Sequence, residues 1–417
     1  MIKNILIEQN PHWNKMPENY AKREQLDRLL GFLPLRQIIT VTGIRRCGKS
    51  TLVKSAIKRL IEDGINPKNI LFVNLEQPYF LEFRHNPSYL GDIIDEYLKL
   101  VNPQGKIYVA FDEIQFFENW QVFIKSKYES SDIKFILTGS NSSMLSNDLA
   151  TLLTGRSLNI HLDVFSFREF MDYKGIEYDG EIRRIANKIA IARAKEEYLK
   201  WGGFYEVFCI DDEAAKKELL VNYAKNIIYR DIVPRYGIRN SEVVERLFFY
   251  LLQNATSPLN YTTLSQTFSI SDKSIKEYIY YFEEVFLLKR IDRFHTKPKE
   301  RIKGAKKIYV KDNGFLQIAP KSSANLGASL ENAVFNTLSQ KCDDVSYLKE
   351  THEIDFCTKE ALYQVSYDIS DEKTQKRELS AFEHFKQQEK RRRLVTYDTN
   401  GRIGDVDVVG FDIFAVE

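Results

Sequence analysis

Apolar residues recur along this chain in two rhythms, and the changes of rhythm mark its organisation. Between residue 20 and about 165, short continuous apolar runs alternate with helix-spaced ones. Leu26, Leu29, Leu30 and Leu33 fall on one helical face, so a helix is expected over residues 20–33, stopped by Pro34. The β-branched run 37–42 ends at Gly43 and reads as a buried strand, as do 70–73, 107–111 and 135–138. Buried strands separated by helices predict an α/β fold with a parallel sheet covered by helices. From 176 to 250 the pattern is mostly helical and rich in Lys and Glu, broken at Gly202-Gly203. Residues 251–295 have the spacing of two short crossed helices, and from Asn325 the order helix–strand–strand–strand–helix–strand returns. The division expected is therefore 1–175, 176–250, 251–320 and 321–417, with no repeat of fixed period.

Composition narrows this picture modestly. The 417 residues suggest two to three domains, and 43% apolar and 13% aromatic residues suffice for several cores. Sixty Lys+Arg against fifty-eight Asp+Glu leave a charge of +2, which excludes a bulk polyanion-binding tail. No apolar run approaches eighteen residues, so no membrane span is expected, and the first apolar stretch is too short for a signal peptide. Cys47, Cys209, Cys342 and Cys357 form no CxxC pair, which fits a reducing cytoplasm. The six histidines are scattered and suggest no metal cluster or Ser/His/Asp arrangement.

The chemistry concentrates at three strand ends. Gly43-Ile44-Arg45-Arg46-Cys47-Gly48-Lys49-Ser50 matches G-x-x-x-x-G-K-[ST] between an expected strand and an expected helix. Gly43 and Gly48 let successive N–H groups face phosphates, and the following helix start, with Thr51, adds its positive dipole end. Lys49 is placed to reach β- and γ-phosphates, and the Ser50 hydroxyl to bind Mg2+. The strand 107–111 runs into Asp112-Glu113, of which Asp112 suits a metal shell and Glu113 suits orienting or deprotonating water. Strand 135–138 delivers Ser140 and Asn141, which either sense a γ-phosphate or cap the next helix.

These residues carry a resemblance. Residues 42–52, Asp112-Glu113-Ile114-Gln115 with Trp120, and Leu137-Thr138-Gly139-Ser140 resemble the AAA-type ATPases of bacteria and archaea that carry a poorly characterised C-terminal region. Leu153-Thr154-Gly155-Arg156, residues 165–170 (Phe-Ser-Phe-Arg-Glu-Phe), Gly202-Gly203-Phe204 and Tyr229-Arg230-Asp231-Ile232 resemble the same family. The resemblance implies an additional-strand P-loop sheet, with the 135–138 strand between the P-loop strand and the 107–111 strand. It implies Mg2+-dependent ATP hydrolysis driving a switch, with Arg156 near the nucleotide in cis or from a second subunit; a surface salt bridge is the other reading of Arg156. Arg23-Glu24 would approach the adenine, while Arg45 and Arg46 receive no catalytic role.

Two further resemblances lie downstream. The helix pair around 261–268 and 273–282, with 287–291 and 307–310 as paired strands, resembles a winged helix. Lys273, Ser274 and Lys276 would face outward, and 297–311 holds seven bases against Glu300, so backbone binding to DNA through 273–276 and 297–311 is one reading. A packing or hinge module bearing a solvated loop is the other. Glu331, Asp355 and Gln364-Val365-Ser366 follow the order of a PD-(D/E)xK nuclease-like domain. Its third position is neutral and its lysine is replaced by Ser366, so a degenerate domain is expected unless Lys373 swings in; a plain interaction domain with Glu331 and Asp355 on its surface is the bland alternative. The candidate partners are ATP, DNA, a partner protein or further copies of the chain.

Overall fold

The computed structural model describes residues 2–142, 155–320 and 325–417, and divides into two compact units, Met1–Leu162 and Asp163–Glu417. Each unit has a sheet of its own.

The first unit is built on five parallel strands: β1 (Ile38–Thr42), β2 (Ile70–Asn74), β3 (Ile107–Asp112), β4 (Ile133–Gly139) and β5 (Ser157–His161). They lie in the order β2-β3-β4-β1-β5, so β4 separates the P-loop strand from β3, as the resemblance implied. The register Ile39↔Ile136 and Thr42↔Gly139 brings the C-terminal ends of β1 and β4 level. β1 is buried along its whole length, which explains its continuous β-branched run. β5 was not expected; its alternating Ser157-Leu158-Asn159-Ile160-His161 suits an edge strand, and it pairs with β1 from Ile38↔Ser157 to Thr42↔His161. Helices α1 (Ile2–Gln9), α4 (Tyr89–Val101) and α5 (Trp120–Ser130) contribute Leu6, Tyr97 and Ile124 to one core, with Val109, Phe111 and Phe135 from the sheet. Helix α2 runs only Gln25–Phe32 and α3 runs Lys49–Glu62. The helix expected from residue 20 thus starts late, because Arg23 is buried and its Nη1 donates to the Cys47 carbonyl at 2.7 Å instead of lying on a helix surface.

The second unit opens with helices. Ser166 and Glu169 form a reciprocal capping box on the helix Phe167–Tyr173, a structural use for the Phe-Ser-Phe-Arg-Glu-Phe run. Gly202 and Gly203 are needed for close packing: a Cβ at Gly202 would stand 2.1 Å from an Asp312 oxygen, and at Gly203 2.1 Å from the Phe165 carbonyl. Tyr229-Arg230-Asp231-Ile232 lies in a π-helical stretch, Ile227–Ile232. The helices Tyr261–Phe268 and Asp272–Glu284 are capped by Asn260 and Ser271 and followed by the antiparallel pair β6 (Leu288–Asp292) and β7 (Lys306–Val310). After the helix Leu326–Lys341 come β8 (Ser346–Lys349), β9 (Glu353–Cys357), β10 (Ala361–Ser366), β11 (Arg391–Thr396), β12 (Gly401–Ile403) and β13 (Val406–Gly410), in the order β12-β13-β11-β10-β9-β8. The β6–β7 hairpin is joined to this sheet, since Phe294 N donates to Tyr347 O and Tyr347 OH to Ala305 O, both at 2.7 Å.

Among the described residues no helix is long and apolar enough to cross a membrane.

Candidate functional site

The glycine-rich turn after β1 is shaped by close approach. A Cβ on Gly43 would stand 2.0 Å from the Leu162 carbonyl, and Gly48 sits at φ 100°, the left-handed cap of α3. Arg46, also in the turn, adopts φ 71°. Lys49, at the start of α3, is 4% exposed, and its Nζ donates to the carbonyls of Gly43 (3.1 Å) and Ile44 (3.2 Å). The same Nζ lies 3.5 Å from Glu113 Oε1. Ser50 Oγ reaches both Asp112 oxygens, at 3.0 and 2.7 Å.

The strand ends supply the rest. Thr138 Oγ1 donates to Asp112 Oδ1 at 2.7 Å and accepts the Glu113 amide at 2.9 Å, so one hydroxyl on β4 orients both residues ending β3. Glu113 takes the left-handed conformation, φ 56°, which turns the chain just after β3. Gln115 Nε2 donates to Glu113 Oε2 and, at 3.2 Å, to Ser140 Oγ. Gln115 Oε1 is a buried acceptor with no hydrogen-bond partner among the described residues. Arg45 chelates Glu76 with both oxygens at 3.0 Å. Beside Ser50 and Asp112 opens a cleft of about 460 Å³, whose walls include His12, Tyr20, Lys54 and Asn74.

The electrostatics divide the two carboxylates. Burial pushes Asp112 above the usual carboxylate range, with Glu113 adding to it, against hydrogen bonds from Thr138 and Ser50. Burial also works against charge on Glu113, but Lys49 and Arg45, with hydrogen bonds from Gln115 and Ser140, together hold Glu113 below its ordinary value. Burial works against the charge on Lys49 as well, but Glu113, Cys47 and Asp112 together hold it above its ordinary value. Neighbouring carboxylates are thus pushed apart, one ionised beside a cation and one held by hydroxyls. A hydroxyl and a carboxylate sharing a bond are hard oxygen donors, the kind that suits Mg2+.

The other expected sites fare differently. Leu153 and Thr154 lie outside the described residues; Arg156 forms a salt bridge with Glu129 at 3.0 Å, the surface pairing that was its alternative reading. Arg23 is buried against the P-loop backbone. On the helix Asp272–Glu284, Lys273 is exposed, with Glu277 3.9 Å away, and Lys276 lies over the Tyr261 ring. Ser274 faces Ser271 at the helix start. The basic stretch 297–311 is not a free cationic loop. Arg301 and Lys306 pair with Asp292, Lys307 with Glu353 and Lys311 with Asp163, which leaves Lys297, Lys299 and Lys303 as its exposed charges. In the C-terminal sheet Asp355 is buried, and Glu331 Oε1 accepts the Tyr309 hydroxyl at 2.7 Å, so these carboxylates are not surface charges. Gln364 is buried too, bonded to the Asp355 amide and to Glu378. The ammonium near this group is that of Lys307, 3.4 Å from Glu331 and 3.7 Å from Asp355, and not that of Lys373.

Comparison with known proteins agrees with the first unit's architecture. The AAA domain family matches residues 35–171, and a domain of unknown function matches residues 192–326. An uncharacterised protein of Haemophilus influenzae is 31% identical over 360 residues, covering 84% of this chain and 87% of its own. The chain belongs to this family of AAA-domain P-loop proteins. An uncharacterised protein of Methanocaldococcus jannaschii is 29% identical over 416 residues, 96% of this chain and 90% of its own. Among solved structures, a Walker-type ATPase of Pyrococcus abyssi aligns with TM-score 0.42 at 14% identity, over 74% of this chain and 100% of that one.

Within this AAA-family site, sequence reasoning missed Thr138, Gln115 and Glu76. Thr138 carried a usable signal, a hydroxyl at the end of an otherwise apolar buried strand. Gln115 stands in the Asp-Glu-Ile-Gln run, where the sequence gives it no role of its own. Glu76 gave no signal, because its partner Arg45 is 31 residues away.

Proposed function

We propose that this AAA-family chain is an Mg2+-dependent ATPase whose hydrolysis cycle drives a conformational switch. The observation that carries the reading is the pairing of Ser50 with Asp112 and of Lys49 with Glu113 at the ends of β1 and β3. Gly43, Gly48 and Thr51 form the phosphate cradle with the start of α3. Lys49 leaves the Gly43 and Ile44 carbonyls to contact β- and γ-phosphate oxygens. Ser50 and Asp112 would hold Mg2+, which when bound would supply positive charge to the phosphates. Glu113 orients and deprotonates the attacking water. Ser140, through Gln115, couples the γ-phosphate position to Glu113, and the unsatisfied Gln115 Oε1 is an acceptor that a water O–H would satisfy.

The test is ATP binding and turnover in Lys49→Ala and Glu113→Gln. The first loses nucleotide binding; the second retains ATP and stops turning over. Normal turnover in either variant sinks the assignment.

A second reading is a nucleotide-gated adaptor with little hydrolysis. It is favoured by Glu113 being held by both Lys49 and Gln115, a state it must leave before it acts as a base. In this reading the helices Tyr261–Phe268 and Asp272–Glu284 with β6 and β7 serve as a winged-helix-like binding module, and the C-terminal sheet as a degenerate nuclease-like domain. With four of the seven bases at 297–311 paired internally, the exposed positive charge favours a protein partner over DNA. A salt-dependent shift of a labelled duplex, lost in Lys273→Ala/Lys276→Ala, would reverse that preference.

A further inference from the structure

One helical stretch of the second unit turns its apolar side chains outward. The helix Glu181–Ala186 buries none of its residues, and its Ile182 and Ile185 are 84% and 69% exposed. The helix Lys188–Trp201 follows after one residue. It buries Ile191, Ala194 and Tyr198 but leaves Ile189 71% exposed. Helical hydrogen bonding runs through the joint: the Asn187 N–H donates to the Arg183 carbonyl, and the Asn187 carbonyl accepts the Ile191 N–H, both at 2.9 Å. Ile182, Ile185 and Ile189 thus follow the i, i+3, i+7 spacing of one helical stripe. Single exposed apolar residues are ordinary. Three neighbouring isoleucines, two of them on a helix that contributes nothing to a core, mark a surface that another surface covers.

The charges beside the stripe indicate what covers it. Glu181 and Lys188 are seven residues apart, so they return to within about 20° of each other on one edge of the stripe. Arg193 falls on the opposite edge. All three are exposed, and none forms an ion pair among the described residues. We propose that this stripe is the interface between two copies of this chain, with their helices antiparallel about a two-fold axis. That symmetry brings like edges together, so Glu181 of each copy meets Lys188 of the other, and the match is made twice. A parallel pairing would bring opposite edges together and set Lys188 against Arg193, two like charges. The isoleucines supply the attraction and the charges select the direction. Three isoleucines a side make a small interface beside the roughly 800 Å² per partner of stable complexes, so association is expected to be reversible. The proposal does not rest on the ATPase reading, whose P-loop residues all lie in the first unit.

The experiment is sedimentation velocity of the full-length, nucleotide-free protein between about 1 and 200 μM. The parent shifts reversibly from monomer to dimer as concentration rises. Ile185→Glu raises the dimer's dissociation constant at least about tenfold. Its circular dichroism matches the parent's, because Ile185 fills no core. Glu181→Lys and Lys188→Glu each weaken the dimer at low salt, by placing like charges across the interface. An equimolar mixture of these two variants regains the parent's affinity, since each copy then meets the opposite charge at both contacts. The proposal is overturned if the parent stays monomeric throughout, or if Ile185→Glu dimerises like the parent. It is also overturned if the mixture associates no better than either variant alone, because like edges then do not meet.

Discussion

Lys49 and Lys307 are both nearly excluded from water and both face carboxylates, yet the two clusters are built to opposite ends. Lys49 rests on two backbone carbonyls at 3.1 and 3.2 Å and on one carboxylate at 3.5 Å, all long contacts on a turn bent through glycine. Lys307 is gripped at 2.6 Å by Glu353 and faces Glu331, whose Oε1 also accepts the Tyr309 hydroxyl, and Asp355, whose other oxygen accepts the Val365 amide. On the proposed ATPase reading the first ammonium exchanges its partners for phosphate oxygens, and a cleft opens beside the neighbouring Ser50. The second has no softer partner to give up. Charge type and burial alone therefore do not identify a working site. What separates the clusters is whether the lysine's contacts are weak enough to be traded.

The largest effect is expected where the contacts are tradable. Glu113→Gln keeps the hydrogen bond from Gln115 but removes the base, so kcat should fall on the order of 10²–10⁴-fold while ATP binding persists. Single-turnover hydrolysis alongside binding of a fluorescent ATP analogue separates the two. If kcat and binding fall together, Glu113 serves to hold the loop and the contrast with Lys307 weakens.

Lys307→Met tests the other side. Removing one partner from a buried ion cluster costs about 3–5 kcal/mol. Burial, with Glu331 beside it, pushes Asp355 up to about 8, and burial raises Glu331 too. Below that range the carboxyls left in the variant can be neutralised by protons, so its deficit in urea denaturation should be smaller at pH 5 than at pH 9. An equal deficit at both pH values would mean that the cluster contributes through packing and not through charge.

The two clusters also differ in how far they could be read in advance. The P-loop and Asp112-Glu113 were legible because each is a short local run whose spacing encodes its own geometry. Even there Thr138 was missed, since its hydrogen bond to Asp112 spans 26 residues. The start of α2 was misjudged because local apolar spacing cannot foresee that Arg23 is drawn to the Cys47 carbonyl. In the second unit, Glu331, Asp355 and Gln364 were found by their order along the chain. Lys307 reads in the sequence as part of a basic loop, because its partners lie 24 to 48 residues downstream and only the fold brings β7, β9 and the helix Leu326–Lys341 together. Charge runs are legible as composition, whereas their neutralisation is a tertiary event.

Asp312 repeats the comparison with amides in place of an ammonium. Its carboxylate accepts the Gly203 and Gly314 N–H groups at 2.7 and 2.8 Å, and burial still pushes it up to about 7. In the unfolded chain an Asp titrates near about 3.9. Between those values the folded state binds the extra proton, so this residue's contribution to stability falls as pH rises from about 4 to 7 and is level above. Asp312→Asn should show a smaller loss of stability between pH 5 and pH 8 than the parent in urea titrations. Parallel losses would show that the two amides already satisfy the charged form.

The smallest effect is expected at Arg156, whose pairing with Glu129 is open to solvent, with side chains 36% and 50% exposed. Exposed pairs of this kind contribute roughly 0–1 kcal/mol, and screening places this one toward the low end. Arg156→Ala should leave the urea midpoint nearly unchanged and alter kcat by less than about twofold, an effect of under 0.5 kcal/mol. A loss of turnover with ATP binding intact would instead put Arg156 in the class of Lys49, a cation whose observed partner is only a temporary one. Repeating the assay at several protein concentrations distinguishes its source: a defect rescued by mixing with Lys49→Ala protein means that the arginine acts on a second copy's nucleotide.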